Sequence, residues 1–182
     1  MALKFLNAKY SCVKMDGRLP QAWRPSTMEP LPLDRTDRRM LEALQEDGRL
    51  SNSALAQRIG LSESATLRRL RRLEDSGLID GYVMLVNQAK AGKPGNIFVE
   101  IALTAQEEAA LTAFENAVLE RPEILECYLM SGEYDYLLRV VVADFADFER
   151  IHREHLTRLP HVGRVRSSFT LRTVLRRTSI PL

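Results

Sequence analysis

Cysteine is scarce in this chain: Cys12 and Cys127 are the only two in 182 residues. Two thiols cannot build the disulfide framework on which small secreted domains depend, so a reducing cytoplasmic setting is expected. Histidine is nearly as rare, with three, and tryptophan occurs once, as Trp23. No uncharged run approaches the ~18 apolar residues that a membrane helix needs, so a membrane is not an expected partner. The opening MALKFLNAKYSCVK interrupts its apolar patch with Lys4, Asn7 and Lys9, which argues against a secretory signal. Neither a Gly-rich phosphate loop nor a nucleophile elbow occurs, which removes two common enzymatic constellations.

One stretch is also short of positive charge. Residues 96–160 hold thirteen acids against five arginines, whereas the overall net charge is +2 and the segment 161–182 carries five arginines and no acid. Phosphates need cationic neighbours, so an acidic middle is a poor surface for nucleic acid. Any such contact belongs to the amino-terminal half or to the basic tail. Hydrophobic residues at 45% and charged ones at 27% describe an ordinary core-forming chain, long enough for one large domain or two small ones.

Residues 1–32 have no sustained helical or strand period, and prolines stand at 20, 25, 30 and 32. They read as a mobile extension. Two other readings stay open: a basic arm reaching DNA through Lys4, Lys9, Lys14, Arg18 and Arg24, and a true start at Met28.

Order begins at Leu33-Asp34. Asp34 can cap a helix whose stripe is Met40, Leu41 and Leu44, with Asp37 in the first turn and Gly48 as the stop. Ser51 or Asn52 caps a second helix that turns Leu55, Ala56 and Ile59 inward. Gly60 suits a tight turn, and Ser62 caps a third helix. On that helix Thr66, Leu70 and Leu73 share one face, whereas Ser64, Arg68, Arg71 and Arg72 share the other, with Ala65 and Arg69 on one flank and Leu67 on the opposite flank. Arginine can bond guanine in bidentate fashion or clamp phosphates, and serine can bond either. The candidate DNA-contacting residues are therefore Ser62, Ser64, Ala65, Arg68, Arg69, Arg71 and Arg72. The plainer alternative is a solvated, charged helix face. Leu78-Ile79 and Tyr82–Val86, around the turn pair Asp80-Gly81, read as the two strands of a wing. Residues 33–86 thus form a winged helix-turn-helix, and 87–95, with two glycines and a proline, a hinge.

From Asn96 the grammar changes. Strands are expected at 97–103, 124–130, 136–142 and 162–175, with helices over 106–121 and 145–159. The order β-α-β-β-α-β specifies an α+β, ferredoxin-like layer of helices on an antiparallel sheet across 96–182. One sheet face is left without helices, so burial against a second copy is the natural remedy. The loop Gly132-Glu133-Tyr134-Asp135 can offer free N–H groups, an aromatic wall and a carboxylate to a small molecule. An ordinary turn, with Asp135 bonding its own backbone, stays open. His152 and His155, three apart on a helix with Glu149 near, could hold a metal, but a solvated and a half-buried histidine is the simpler reading. Cys127, within an apolar strand, is expected in a core or interface and not as a nucleophile.

The segment LDRTDRRMLEALQEDGRLSNSALAQRIGLSESATLRRLRRLEDSGLIDGY closely resembles the amino-terminal half of the Lrp/AsnC family of transcriptional regulators. ECYLMSGEYDYLLRVVV and VRSSFTLRTVLRRTSIPL resemble that family's carboxy-terminal sensing domain, so the likeness spans about residues 33–182. The resemblance implies a non-enzymatic, cofactor-free regulator on double-stranded DNA, cytoplasmic and associated with the nucleoid. It implies homodimers joined through the sensing sheets, often assembling further, commonly to octamers. It implies an amino-acid effector held between sensing domains near Gly132, Glu133, Tyr134 and Asp135. One departure stands out: Glu63 occupies a position where the family often has proline, so a carboxylate sits on the first turn of the recognition helix. An effector-independent DNA organiser, exploiting Arg164, Arg166, Arg172, Arg176 and Arg177 on phosphates, is the competing function. A ferredoxin-like enzyme is the other.

Overall fold

The computed structural model describes residues 31–182, so the expectations for the amino-terminal extension fall outside the described residues. The chain divides into a helical unit, residues 31–85 with Val174–Leu182, and a sheet unit, Val86–Thr173.

The helical unit has three helices: α1 (Arg35–Glu46), α2 (Asn52–Ile59) and α3 (Glu63–Asp75). Each starts where a side-chain oxygen can satisfy an orphan N–H. Asp34 and Asp37 form a reciprocal box at α1, the Asp34 carboxylate accepting from the Asp37 N–H at 2.8 Å and that of Asp37 accepting from the Asp34 N–H at 3.2 Å. Ser51 caps α2 and Ser62 caps α3. Gly60, at φ 74°, makes the turn between them in the left-handed region that glycine enters without a Cβ penalty. Met40, Leu41, Ala43, Leu55, Ile59 and Leu73 form the core. Thr66 is fully buried, and its hydroxyl donates to the Ser62 carbonyl at 3.0 Å, so its polarity is satisfied.

The wing strands expected over 78–86 do not form. Ile79 is drawn back to the end of α3 instead: its N–H donates to the Leu73 carbonyl and its side chain packs on the helical core. That leaves Tyr82–Val86 with no strand to pair with, and Val83, Met84, Leu85 and Val86 are exposed. Tyr82 is fixed by its hydroxyl, which donates to Glu74 at 3.0 Å. Burial first, and then the Glu74 carboxylate, push the Tyr82 hydroxyl up to about 12, so it stays a donor at neutral pH.

The sheet unit contains β1 (Gly95–Leu103), α4 (Glu108–Leu119), β2 (Ile124–Leu129), β3 (Tyr136–Val142), α5 (Phe145–Glu154) and β4 (Val162–Phe169). The strands run antiparallel in the order β2-β3-β1-β4, the ferredoxin-like arrangement. Alternation assigns the faces. Ile97, Val99, Ile101, Tyr136, Leu138 and Val140 are buried with Phe114, Val118, Phe148 and Ile151 of the helices. On the other face, cross-strand partners line up as Glu126–Arg139–Phe98–Ser168 and Tyr128–Leu137–Glu100–Arg166. At Gly95 a Cβ would lie 2.6 Å from the Val142 side chain and 3.3 Å from its carbonyl oxygen, so the close start of the β1–β3 pairing requires glycine.

The final strand is shorter than its alternation suggests. It stops at Phe169, not Leu175, because Phe169 pairs with Ile97 and β1 begins at Gly95, leaving little partner strand beyond. The last nine residues accordingly leave the sheet unit, into which 96–182 was assigned whole, and join the helical unit. There the Gln45 amide grips Ile180 twice, accepting from its N–H at 2.6 Å and donating to its carbonyl at 3.2 Å. Leu182 packs against the helical core beside Leu31, Leu33 and Leu44.

Candidate functional site

The seven residues singled out for DNA all lie on α3 or its cap, but they do different things. Ser62 spends its hydroxyl on the Ala65 N–H at 3.3 Å. Ala65, one position past the first turn's free end, belongs to the flank beside Arg69. Arg69 bonds Asp34 at 2.6 Å and Asp37 at 2.9 Å, and Arg72 bonds the other oxygen of Asp37. The Asp37 side chain is 0% exposed, against 29% for Arg69 and 46% for Arg72. A buried carboxylate without its cations would be costly, so this pair of arginines fastens α3 to the start of α1. The Asp37 backbone N–H and then Arg69 lower the Asp34 carboxyl, and the two aspartates raise Arg69 in return.

Arg68 and Arg71 have no such partner among the described residues. With Ser64, Leu67, Arg72 and Asp75 they line a shallow groove along the outer side of α3. The face assigned from helical periodicity is present, but one of its three arginines, Arg72, and the flanking Arg69 are committed to internal carboxylates. The signal that could have separated them was the Asp34–Asp37 box: two acids at the head of α1 need cations, and α3 supplies them. Leu67, on the flank of the helix, and Asp75, at its end, line the groove as well, though neither is among the seven candidates.

The loop after β2 gathers its four candidates at the end of the sheet, near the close of β1. Ser131, Gly132 and Glu133 are exposed, and Tyr134 and Asp135 are half-buried. Nothing lies within 4 Å of where a Gly132 side chain would begin, so its backbone is approachable. Both oxygens of Asp135 are already engaged: one accepts from the Leu103 N–H and the other from the Gln106 amide, each at 2.7 Å. The residue therefore holds the loop to β1, in addition to any contact its remaining lone pairs make. Glu133 faces Arg164 at the start of β4, 3.4 Å away. Gln106 and Arg164 are neighbours that the sequence did not assign to this loop, since both are distant along the chain.

The histidine pair has other surroundings. The His152 ring sits 5.8 Å from that of Phe148, and His155 Nε2 lies 3.4 Å from Arg150. Among the described residues no group of three or more His, Cys, Asp or Glu is placed to hold a metal ion. Of the core or interface expected for Cys127, the core is excluded: the residue is exposed on β2, an edge strand of the sheet. No described helix is long and apolar enough to cross a membrane.

Against known proteins, a model of the Lrp/AsnC ligand binding domain matches residues 96–180, and one of a winged helix-turn-helix DNA-binding domain matches 33–80. The chain is 40% identical over 150 residues to the Bkd operon transcriptional regulator of Pseudomonas aeruginosa, covering 82% of this chain and 98% of that one. It is 42% identical over 142 residues to the leucine-responsive regulatory protein of Escherichia coli, covering 78% and 87%. A Neisseria meningitidis transcriptional regulator solved in complex with L-methionine superposes with a TM-score of 0.79 at 35% identity, covering 82% of this chain and 97% of that one.

Proposed function

The chain belongs to the Lrp/AsnC family of transcriptional regulators, and from that premise we propose that α3 reads its operator through Ser64, Arg68 and Arg71 while an amino acid acts at the Gly132–Asp135 loop. The observation that carries the reading of DNA is the division among the arginines of α3. Arg68 and Arg71 face a groove with no internal partner among the described residues, whereas Arg69 and Arg72 are held by Asp34 and Asp37. Two outward-facing guanidiniums, with a hydroxyl at the amino-terminal end of the helix, are suited to base edges and phosphates. Glu63, on the first turn, repels a phosphate that comes close to it, which shifts the contacts toward the middle of the helix.

The effector reading rests on the ligand binding domain and on the neighbour that holds L-methionine. An open Gly132 backbone suits the carboxylate of an amino acid, and Tyr134 gives its side chain a wall. Chains pair through the helix-free sheet face, where Phe98, Tyr128, Leu137 and Val141 stand among the Glu126–Arg139 and Glu100–Arg166 pairs. Burying such a face against its own copy removes the apolar area from water. Dimers assemble further, and the protein works in the cytoplasm on the nucleoid.

A thermal-denaturation screen of the full chain with each of the twenty amino acids tests the effector. Binding to the folded state raises the midpoint, and one or a few related side chains are expected to do so. The same ligand is expected to change the footprint on DNA, and Asp135→Ala to blunt that change while the ligand-free DNA complex persists. A footprint indifferent to all twenty supports the organiser instead.

A further inference from the structure

The groove along α3 contains one side chain whose chemistry differs from its neighbours. Leu67 lies between Ser64 and Arg71, and it is 37% exposed, whereas Leu73 is fully buried. Leu70 packs on the core of the helical unit; Leu67 is not part of that cluster. At 100° per residue, Ser64, Leu67, Arg68 and Arg71 form a strip three and four positions apart, rising about 10 Å along the axis, roughly three base-pair steps. An apolar group on the flank of such a strip has nothing to offer a phosphate. In the major groove it has one partner of matching chemistry, the C5 methyl of thymine. At the carboxy-terminal end of the same groove Asp75 repels the phosphate backbone, so the turns carrying Ser64, Leu67 and Arg68 are the ones that enter.

We propose that Leu67 is a specificity-determining residue that selects a thymine at one position of each half-site by packing on its methyl group, beside the contacts made by Ser64 and Arg68. This rests on the reading of α3 as the recognition helix. Covering one methyl and part of one leucine is worth about a fourfold change in affinity. The substituent read is the one feature by which thymine differs from uracil.

The test uses the full chain and a site that it selects from randomised DNA. Each thymine of that site is replaced in turn by deoxyuridine, and binding is followed by fluorescence anisotropy for the wild type, Leu67→Ala and Arg68→Ala. One thymine per half-site is expected to matter, its replacement weakening the wild type about fourfold. Leu67→Ala is expected to bind the thymine site about as weakly as the wild type binds the uracil site, and to be indifferent to that replacement. Leu67→Met, which restores an apolar group, is expected to recover sensitivity to the methyl. The proposal is overturned if no replacement weakens the wild type, or if the losses from Leu67→Ala and from uracil multiply at every position. In either case a weakened Arg68→Ala leaves the helix as the reader and removes Leu67 alone. Equal binding by the wild type and Arg68→Ala removes the helix as well.

Discussion

Asp147 shows how much one carboxylate can organise. Its oxygens accept from Lys93 at 2.7 Å, from the Ala143 N–H at 2.9 Å and from Arg150 at 2.8 Å, tying the hinge loop to the start of α5. Lys93 first, then the Ala143 N–H and Arg150, hold its carboxyl well below the usual carboxylate range. A carboxyl lowered in the folded state takes up its proton more readily when the chain unfolds. Its contribution is therefore complete above the unfolded value, about 3.9, and is lost as the pH falls through the lower folded value. Asp147→Asn is expected to destabilise the protein by about 1–3 kcal/mol at pH 7 in denaturant titrations, since a hydrogen-bonded charge is removed. The gap between variant and wild type should begin to narrow as the pH falls below about 4. A gap that is the same at pH 3 and pH 7 contradicts the latch. Ion pairs also fasten the helical unit at Asp37: Arg69 and Arg72 repeat the charge of Arg68 and Arg71, yet their neighbours make them fasteners.

At the scale of elements, most of the architecture was legible because it follows local rules. Asp34, Ser51 and Ser62 announce three helices by capping chemistry, and β3 spans Tyr136–Val142 as its apolar run indicates. The helices of the sheet unit are a few residues shorter than expected, Glu108–Leu119 and Phe145–Glu154, with a 3₁₀ turn at Leu156–Arg158 taking up the second remainder. What failed was whatever depends on a partner far along the chain. Tyr82–Val86 has strand composition but no strand to pair with, and β4 ends where β1 begins. The tail is the strongest case, since no local pattern in RRTSIPL says that Gln45, 135 residues away, will bind Ile180. The candidate site divided likewise: the outward face of α3 followed from helical periodicity, whereas the internal capture of Arg69 and Arg72 needed the third dimension. Gln45→Ala is expected to cost about 0.5–1.5 kcal/mol of stability. It should also speed amide exchange in α1 and at Ile180. Deleting residues 178–182 should have a similar effect that is not additive with Gln45→Ala. Additive losses would mean that the tail is held by something other than Gln45.

At the scale of the whole molecule, the distribution of charge separates two tasks. The sheet unit is acidic over 96–160 and leaves one face without helices, the face proposed to meet another copy; the helical unit has two arginines without an ion-pair partner among the described residues, the pair proposed to meet DNA. In a dimer each reading helix occurs twice, so a loss at one arginine is felt at both half-sites. The most direct measurement is the affinity of full-length Arg68→Ala for a site that the wild type selects from genomic fragments, alongside the salt dependence of both. The account predicts weaker binding by about 1–3 kcal/mol per site with an unchanged melting temperature. Wild-type affinity in Arg68→Ala, with an unaltered salt slope, would contradict it.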